Sequence, residues 1–326
     1  MSSHPWDLKT QLLDAIKEKG GFVNCHAHFD KAFYITKDGL DQSMVDMEMK
    51  WNMSDELKRS STEDQIKERI RQGLDILIAE GCTLTVSFID AYSAVQHRAI
   101  DAAIAVKAEY KDKIDLKLAT QPLDGLATKE AIDLYEAITN KADIVGGLPS
   151  KDRPDNVEKH FDVLFSVAKN QNKPLHIHID QENNPHERDT ETLIGQTIKH
   201  GYEGRVVAVH AISTSAQPKT YRQQLYRRMA DAGISVAVSP SAALGMRQLD
   251  QHLAPVHNSI ANVPEMIEAG VTVGLGVDNV YDFYQSFVDA DMWVELRMLM
   301  EACRYYNFEE LVKIATTNGR KLISIT

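Results

Sequence analysis

The chain has 326 residues, with 36 Lys+Arg against 47 Asp+Glu, a net charge of −11, 43% apolar and 25% charged residues. This is globular composition rather than disorder, and the acidic balance excludes the basic stripe of a nucleic-acid binder and docking on anionic lipid. No apolar run approaches the roughly 18 residues of a bilayer span. The opening MSSHPWDLKTQLLDAIKEKG lacks a signal-peptide core, and only Cys25, Cys82 and Cys303 are present, without a CxxC. Together these features lead us to expect a cytoplasmic protein with no membrane partner, and they leave homo-oligomerisation open.

Along the chain, short β-rich runs fall at 21–25, 83–89, 115–120, 142–148, 174–179, 205–209, 234–238 and 271–277. Stretches with helical spacing lie between them. In one, Ile66, Ile70, Leu74, Leu77 and Ile78 share a face, Thr62 and Gln65 form a capping box and Gly81 follows the last turn. Another carries Val157, Phe161, Leu164, Phe165 and Ala168 behind Asp155 and Glu158. Eight strands alternating with helices predict an α/β fold, a (β/α)8 TIM barrel over 1–326 as a single domain. An open doubly wound sheet usually carries a Gly-rich turn after its first strand, and here that strand runs into His-Ala-His. The segment 36–61, at the end where barrels build their sites, reads as a lid or binding loop. Its Met44, Met47, Met49 and Met53 are read as packing residues. Ser259 is read as a cap for a helix burying Val263, Met266 and Ile267, with His257 nearby.

Polar groups cluster at the C-terminal ends of the predicted strands: His26 and His28 after the first, His178 in the fifth, His210 after the sixth and Asp278 after the eighth. Residues two apart on a strand share a face, so His26 and His28 can turn into the barrel mouth together. Three imidazoles and a carboxylate suit one divalent ion, zinc or iron, with room for water. Each piece alone is weak; four ligand-type residues at matching strand ends are not. His176 is read as a core histidine, because His178 lies nearer the strand end.

The runs CHAHFDKAF, DIVGGLP, LHIHIDQENNP, VVAVHAIS, PVHNSIANVPEMIEAGVTVGLGVDN and ATTNGRKL resemble the amidohydrolase superfamily, in particular the branch of cytosine deaminases and N-isopropylammelide amidohydrolases. The resemblance implies a mononuclear metal held by His26, His28, His178 and Asp278, with His210 beside the water or substrate. It also implies hydrolysis of a carbon–nitrogen bond in a small molecule. Relatives with paired metals carry a carboxylated Lys at the end of the fourth strand; no Lys lies in 142–148 here, which argues for one metal. The branch also builds a small β-sandwich from flanking segments, and the early position of His26 leads us to expect a barrel without it.

Three positions depart from the branch. Gln181 stands where deaminases place a proton-shuttling Glu, and an amide orients a substrate without exchanging protons near neutrality; Glu182 would need a bulge to substitute. Leu123 stands where a Gln reads the ring edge, unless Gln121 moves in. Asp278-Asn279 replaces an Asp-Asp pair. Cytosine is therefore not favoured as substrate. The expected catalytic groups are Asp278, taking the proton of water and passing it to the leaving nitrogen, His210, steadying charge or the water, and Gln181. Lys31, Trp51, Gln121, Leu123 and Asn279 are expected to contact substrate, although Lys31 could equally pair with Asp30 and Asn279 could cap its loop. Deamination of a heterocycle leads; an amidase acting on linear or cyclic amides and a non-catalytic metal-containing binding protein are the alternatives.

Overall fold

A computed structural model describes the chain apart from residues 1–3, 46, 247–248, 250, 255–258 and 325–326. The eight expected strands form, each close to its predicted position: β1 Phe22–Asn24, β2 Cys82–Asp90, β3 Asp115–Gln121, β4 Val145–Gly147, β5 Leu175–Ile179, β6 Val206–His210, β7 Ser235–Val238 and β8 Val273–Leu275. All pair in parallel, in two arcs ordered β1-β2-β3 and β4-β5-β6-β7-β8.

Two narrow seams join the arcs into the barrel. At the first, Ala119 bridges Ile144, and the Asp143 and Ile144 amides both donate to Leu118 O, at 2.9 and 3.0 Å. At the second, Ala27 bridges Asp278, Cys25 N donates to Leu275 O at 2.8 Å, and the Val277 and Asp278 amides donate to His26 O at 3.0 Å. Glycine permits both approaches. A Cβ at Gly146 would stand 1.8 Å from Thr120 O, and one at Gly276 would stand 2.7 Å from His26 Cβ. Every strand among the described residues belongs to this barrel.

Alternation along the strands sorts the core into two layers. Val23, Cys25, Leu84, Val86, Phe88, Val207 and Val209 fill the barrel interior, joined by Leu322 and Ile323 of the last helix. The alternate residues pack outward under the helices. The helix Glu63–Ala79 shows how: the Thr62–Gln65 capping box forms, Ile66, Ile70, Leu74 and Leu77 are buried, and Gly81 takes φ +78° past the end. Each such side chain contributes about 1.5–3 kcal/mol by leaving water. In Val157–Gln171 the buried face is Phe161, Leu164, Phe165 and Ala168, as the spacing predicts.

Two expectations need correction. Segment 36–61 is largely helical, with a 3-10 helix at Lys37–Met44 and an α-helix at Met47–Ser60. Of its methionines, Met44 and Met49 are exposed rather than packed, Met53 is half-buried, and the side chain of Met47 lies outside the described residues; Trp51, Ser54 and Lys58 turn inward. Ser259 caps nothing: the helix starts at Val263 behind Asn262, and Ser259 Oγ bonds Asn183 Oδ1 at 3.0 Å. His257 lies outside the described residues. Among the described residues no helix is long and apolar enough to cross a membrane.

Candidate metal centre and active site

The chain turns abruptly where the strands end. His210 and Asp278 adopt φ +78° and +65°, as do their neighbours Ala211 (+53°) and, after β5, Asp180 (+49°). Such backbone costs about 1–3 kcal/mol per residue and persists only where surrounding structure imposes it. Asp180 supplies part of that framework, its carboxylate accepting from the amides of Asp189 and Thr190 at 2.9 and 3.0 Å. These turns aim the side chains of His210 and Asp278 into the mouth, where His26 and His28 arrive from the segment after β1 and His178 from β5.

The five groups meet there. Asp278 Oδ1 lies 3.0 Å from His26 Nε2 and 3.2 Å from His28 Nε2, and His28 Nε2 lies 3.4 Å from His178 Nε2. His210 Nε2 stands 4.0 Å from Asp278 Oδ2. His178 donates its Nδ1 proton to Gly147 O at 3.1 Å, which leaves a lone pair on the Nε2 that faces His28. The Nδ1 atoms of His26 and His28 are buried and find no hydrogen-bond partner among the described residues, while the Nε2 atoms of both rings face Asp278. Ligand atoms about 2.0–2.2 Å from a tetrahedral ion stand about 3.3–3.6 Å from one another. The observed separations of 3.0–3.4 Å already approach that spacing. Three nitrogens and one carboxylate oxygen therefore suit a divalent cation in chemistry, and the ligand-type atoms gather as two overlapping triads, His26–His28–Asp278 and His26–His178–His210, each within 4.8 Å.

Electrostatics prepare the same donors. Burial, with help from Lys31, pushes His28 down to about 3, and burial pushes His210 down to about 4 and His178 well below its ordinary value. Burial alone would raise the Asp278 carboxyl, but the surrounding imidazoles of His26, His28 and His210 hold it well below the usual carboxylate range. At neutral pH the three shifted rings keep their lone pairs and the aspartate keeps its charge, the state a cation needs.

A cavity above this centre gathers the other candidates. Lys31, Trp51, Gln121, Leu123, Gln181 and Asn279 all line it with His28, His178, His210 and Asp278. Gln121 and Leu123 are thus both present. Trp51 is half-buried under the Lys151 ammonium, 4.2 Å from its ring centroid. Asn279 lines the cavity and, in keeping with the loop-capping alternative, donates from Nδ2 to Asp282 Oδ2 at 2.5 Å within its own loop. Glu182 is not among the lining residues, and His176 is buried inside the barrel beside Phe88.

Lys31 does not pair with Asp30. Its ammonium donates to Asp90 Oδ1 at 2.7 Å and Gln121 Oε1 at 2.5 Å, while Asp30 turns its carboxylate to the Asp90 amide at 2.9 Å. Asp90 was missed, although as the polar end of β2 it obeys the rule that revealed the other groups. Tyr284 and Gln285 were missed too. They reach the cavity because the buried Asp282 carboxylate gathers their amides, both at 2.8 Å, and no sequence pattern reports such a loop. Tyr284 Oη also meets Ser54 Oγ of the covering helix at 2.9 Å.

The sequence pattern of the Amidohydrolase family matches residues 20–326. The chain belongs to the amidohydrolase family. Membership makes it a metal-dependent hydrolase of carbon–nitrogen bonds. An uncharacterized protein of Haemophilus influenzae is 38% identical over 271 residues, covering 82% of this chain and 98% of its own. N-isopropylammelide isopropyl amidohydrolase of Pseudomonas sp. (strain ADP) is 26% identical over 300 residues, covering 86% of this chain and 68% of that protein. Among solved structures, 5-methylcytosine deaminase of Klebsiella pneumoniae with 5-fluorocytosine superposes with a TM-score of 0.85 at 20% identity, over 93% of this chain and 74% of that one. That likeness is one of fold, and it supports the barrel architecture.

Proposed function

We propose that this amidohydrolase expels ammonia or an amine from a carbon of a small nitrogen heterocycle, using one zinc or iron ion held by His26, His28, His178 and Asp278. The observation that carries the reading is the gathering of Asp278 with His26 and His28, and of His28 with His178, at 3.0–3.4 Å beneath a cavity lined by Gln121, Gln181 and Asn279. Bound there, the cation supplies Lewis acidity that brings water from a pKa of 15.7 to about 7.

The protein's own groups do the rest. Asp278 takes the proton of the attacking water and delivers it to the departing nitrogen. His210, buried and held neutral, faces Asp278 Oδ2 and keeps the water in line. Gln181 hydrogen-bonds the substrate, its Nε2 resting 3.4 Å from Ser150 Oγ, and fixes the attacked carbon without moving a proton. Lys31, Gln121 and Asn279 read the ring edge, Leu123 packs on it and Trp51 covers its face. The relatives named above support a heterocyclic substrate. Gln181 favours a second reading, hydrolysis of a linear or cyclic amide, because a polarised carbonyl needs no ring protonation.

The test is release of ammonia or amine from a panel of amino-heterocycles and amides by zinc- or iron-loaded protein. Turnover of amino-heterocycles is expected, and Asp278→Asn should abolish it. Stoichiometric metal with no release from any member of the panel would overturn the reading.

A further inference from the structure

Asp152 and His160 form a buried pair that takes no part in the proposed reaction. His160 Nδ1 lies 2.6 Å from Asp152 Oδ2, and the two residues are 7% and 0% exposed, Asp152 being the former. The same carboxylate oxygen accepts from the Leu126 amide at 2.5 Å. On its other side His160 meets the backbone, with the Leu148 amide 3.3 Å from Nε2. A backbone N–H can only donate, so Nε2 is the acceptor and the His160 proton sits on Nδ1, directed at Asp152.

Leu148 shares its peptide bond with Gly147. The N–H of that peptide belongs to Leu148 and its oxygen to Gly147, and the oxygen accepts the Nδ1 proton of His178 at 3.1 Å. One planar unit is thus gripped from both edges, by His160 on one and by His178 on the other. The bonds run unbroken from Asp152 through His160 and the peptide to His178, whose Nε2 faces His28 in the candidate metal centre. The fold assembles this chain at the end of β4. His160 comes from the helix Val157–Gln171 and Asp152 from the 3-10 turn Pro149–Asp152. A Cβ at Gly147 would run into Leu164, one turn along that helix from His160, so glycine lets the helix sit this close. Among the described residues His26 and His28 have no partner on Nδ1. His178 is therefore the proposed histidine ligand whose tautomer the protein sets from behind.

We infer that His160, backed by Asp152, is a positioning residue for the metal site: it orients the Gly147–Leu148 peptide so that Gly147 O holds His178 with Nε2 presented to the cation. His160 does not line the cavity; it acts through one peptide unit. The inference rests on the proposed ligand set, and its first readout is taken on metal-free protein, so it can fail separately from metal loading and turnover.

The experiment uses two amides that each copy half of the imidazole. Glutamine reaches as far as Nε2 and can accept from the Leu148 amide. Asparagine reaches only as far as Nδ1, keeping Asp152 and releasing Leu148. Nitrogen-15 spectra of metal-free wild type at neutral pH should show both His160 and His178 as Nδ1–H tautomers, with His160 Nε2 coupled across the hydrogen bond to the Leu148 amide. His160→Gln should preserve the His178 tautomer and the zinc affinity measured by competition against a chelator. His160→Asn should let both His178 tautomers appear and weaken zinc by about tenfold, the lower end of what an outer partner of a metal ligand contributes. A role in stability alone would move the two variants together, in step with their urea denaturation. Equal zinc affinities in the two variants, a loss confined to His160→Gln, or an Nε2–H tautomer of either ring in wild type would overturn the inference. The wild-type reading needs no variant to fold.

Discussion

Replacing Gly276 with alanine tests whether the β8–β1 seam sets the ligand geometry. The added Cβ would stand 2.7 Å from His26 Cβ and 3.0 Å from His26 N. Carbon atoms settle at about 3.5–4.0 Å, so the seam must open by about 1 Å. Two hydrogen bonds cross it beside the site, from the Val277 and Asp278 amides to His26 O. Losing them costs about 1 kcal/mol each, and overpacking adds about 1–3 kcal/mol, giving a destabilisation of about 3–5 kcal/mol. His26 would be displaced from Asp278 by several times the roughly 0.2 Å that a ligand set tolerates, so zinc affinity should fall at least about tenfold. Gly195→Ala is the control. Gly195 lies inside the helix Asp189–His200 with nothing within 4 Å of the new Cβ, and alanine there should stabilise by about 0.5–1 kcal/mol. Urea denaturation and zinc competition against a chelator measure both effects. A Gly276→Ala protein with wild-type stability and wild-type zinc affinity would refute the reasoning.

Other outcomes follow from the same geometry. Burial raises Glu295 to about 8 from an ordinary 4.5 while its carboxyl accepts from the Ser241 amide at 3.0 Å. Because the folded value is the higher one, this group's contribution is complete below about 4.5 and is lost as pH rises toward 8. Glu295→Gln should therefore flatten the stability profile between pH 5 and 8, as checked by denaturation at several pH values, and an unchanged slope would contradict it. His178→Ala removes the proposed ligand whose tautomer Gly147 O fixes and should reduce bound metal from about one equivalent to a small fraction, measured by elemental analysis. Gln181→Glu places an exchangeable proton in the cavity and should raise amine release from amino-heterocycles more than hydrolysis of simple amides; equal effects on both would count against deamination. Tyr284→Phe loses the bond to Ser54 Oγ and should cost about 1 kcal/mol in denaturation experiments.

Much of this architecture was legible because strand and helix periodicities report burial directly. β5 and β6 are buried along their whole length and read as continuous apolar runs broken only by histidines, so the ends of the strands and their ligands could be placed together. The helix Met47–Ser60 was illegible for the complementary reason. It turns Ser54 and Lys58 inward and Met49 outward, which hides helical amphipathicity from any pattern based on hydrophobicity. The Lys31–Asp90 pair spans 59 residues, and nothing local distinguishes Asp90 from Asp30 as the partner; β1–β2 pairing decides it. Asp282 shows the limit for loops: its bonds lie within three residues, yet its burial is a property of the closed barrel.

The two seams divide the ring into a short arc and a long one, and the donor atoms come from both. Of the proposed ligands, His26 and His28 belong to the arc of β1 to β3, while His178 and Asp278 belong to the arc of β4 to β8. A cation gripped by this set would work as a rivet, fastening the arcs where backbone pairing is thinnest. Its binding energy then appears as resistance to unravelling of the ring, and chelation should loosen the β8–β1 join before any helix melts, exposing the Val277 and Asp278 amides to hydrogen exchange first.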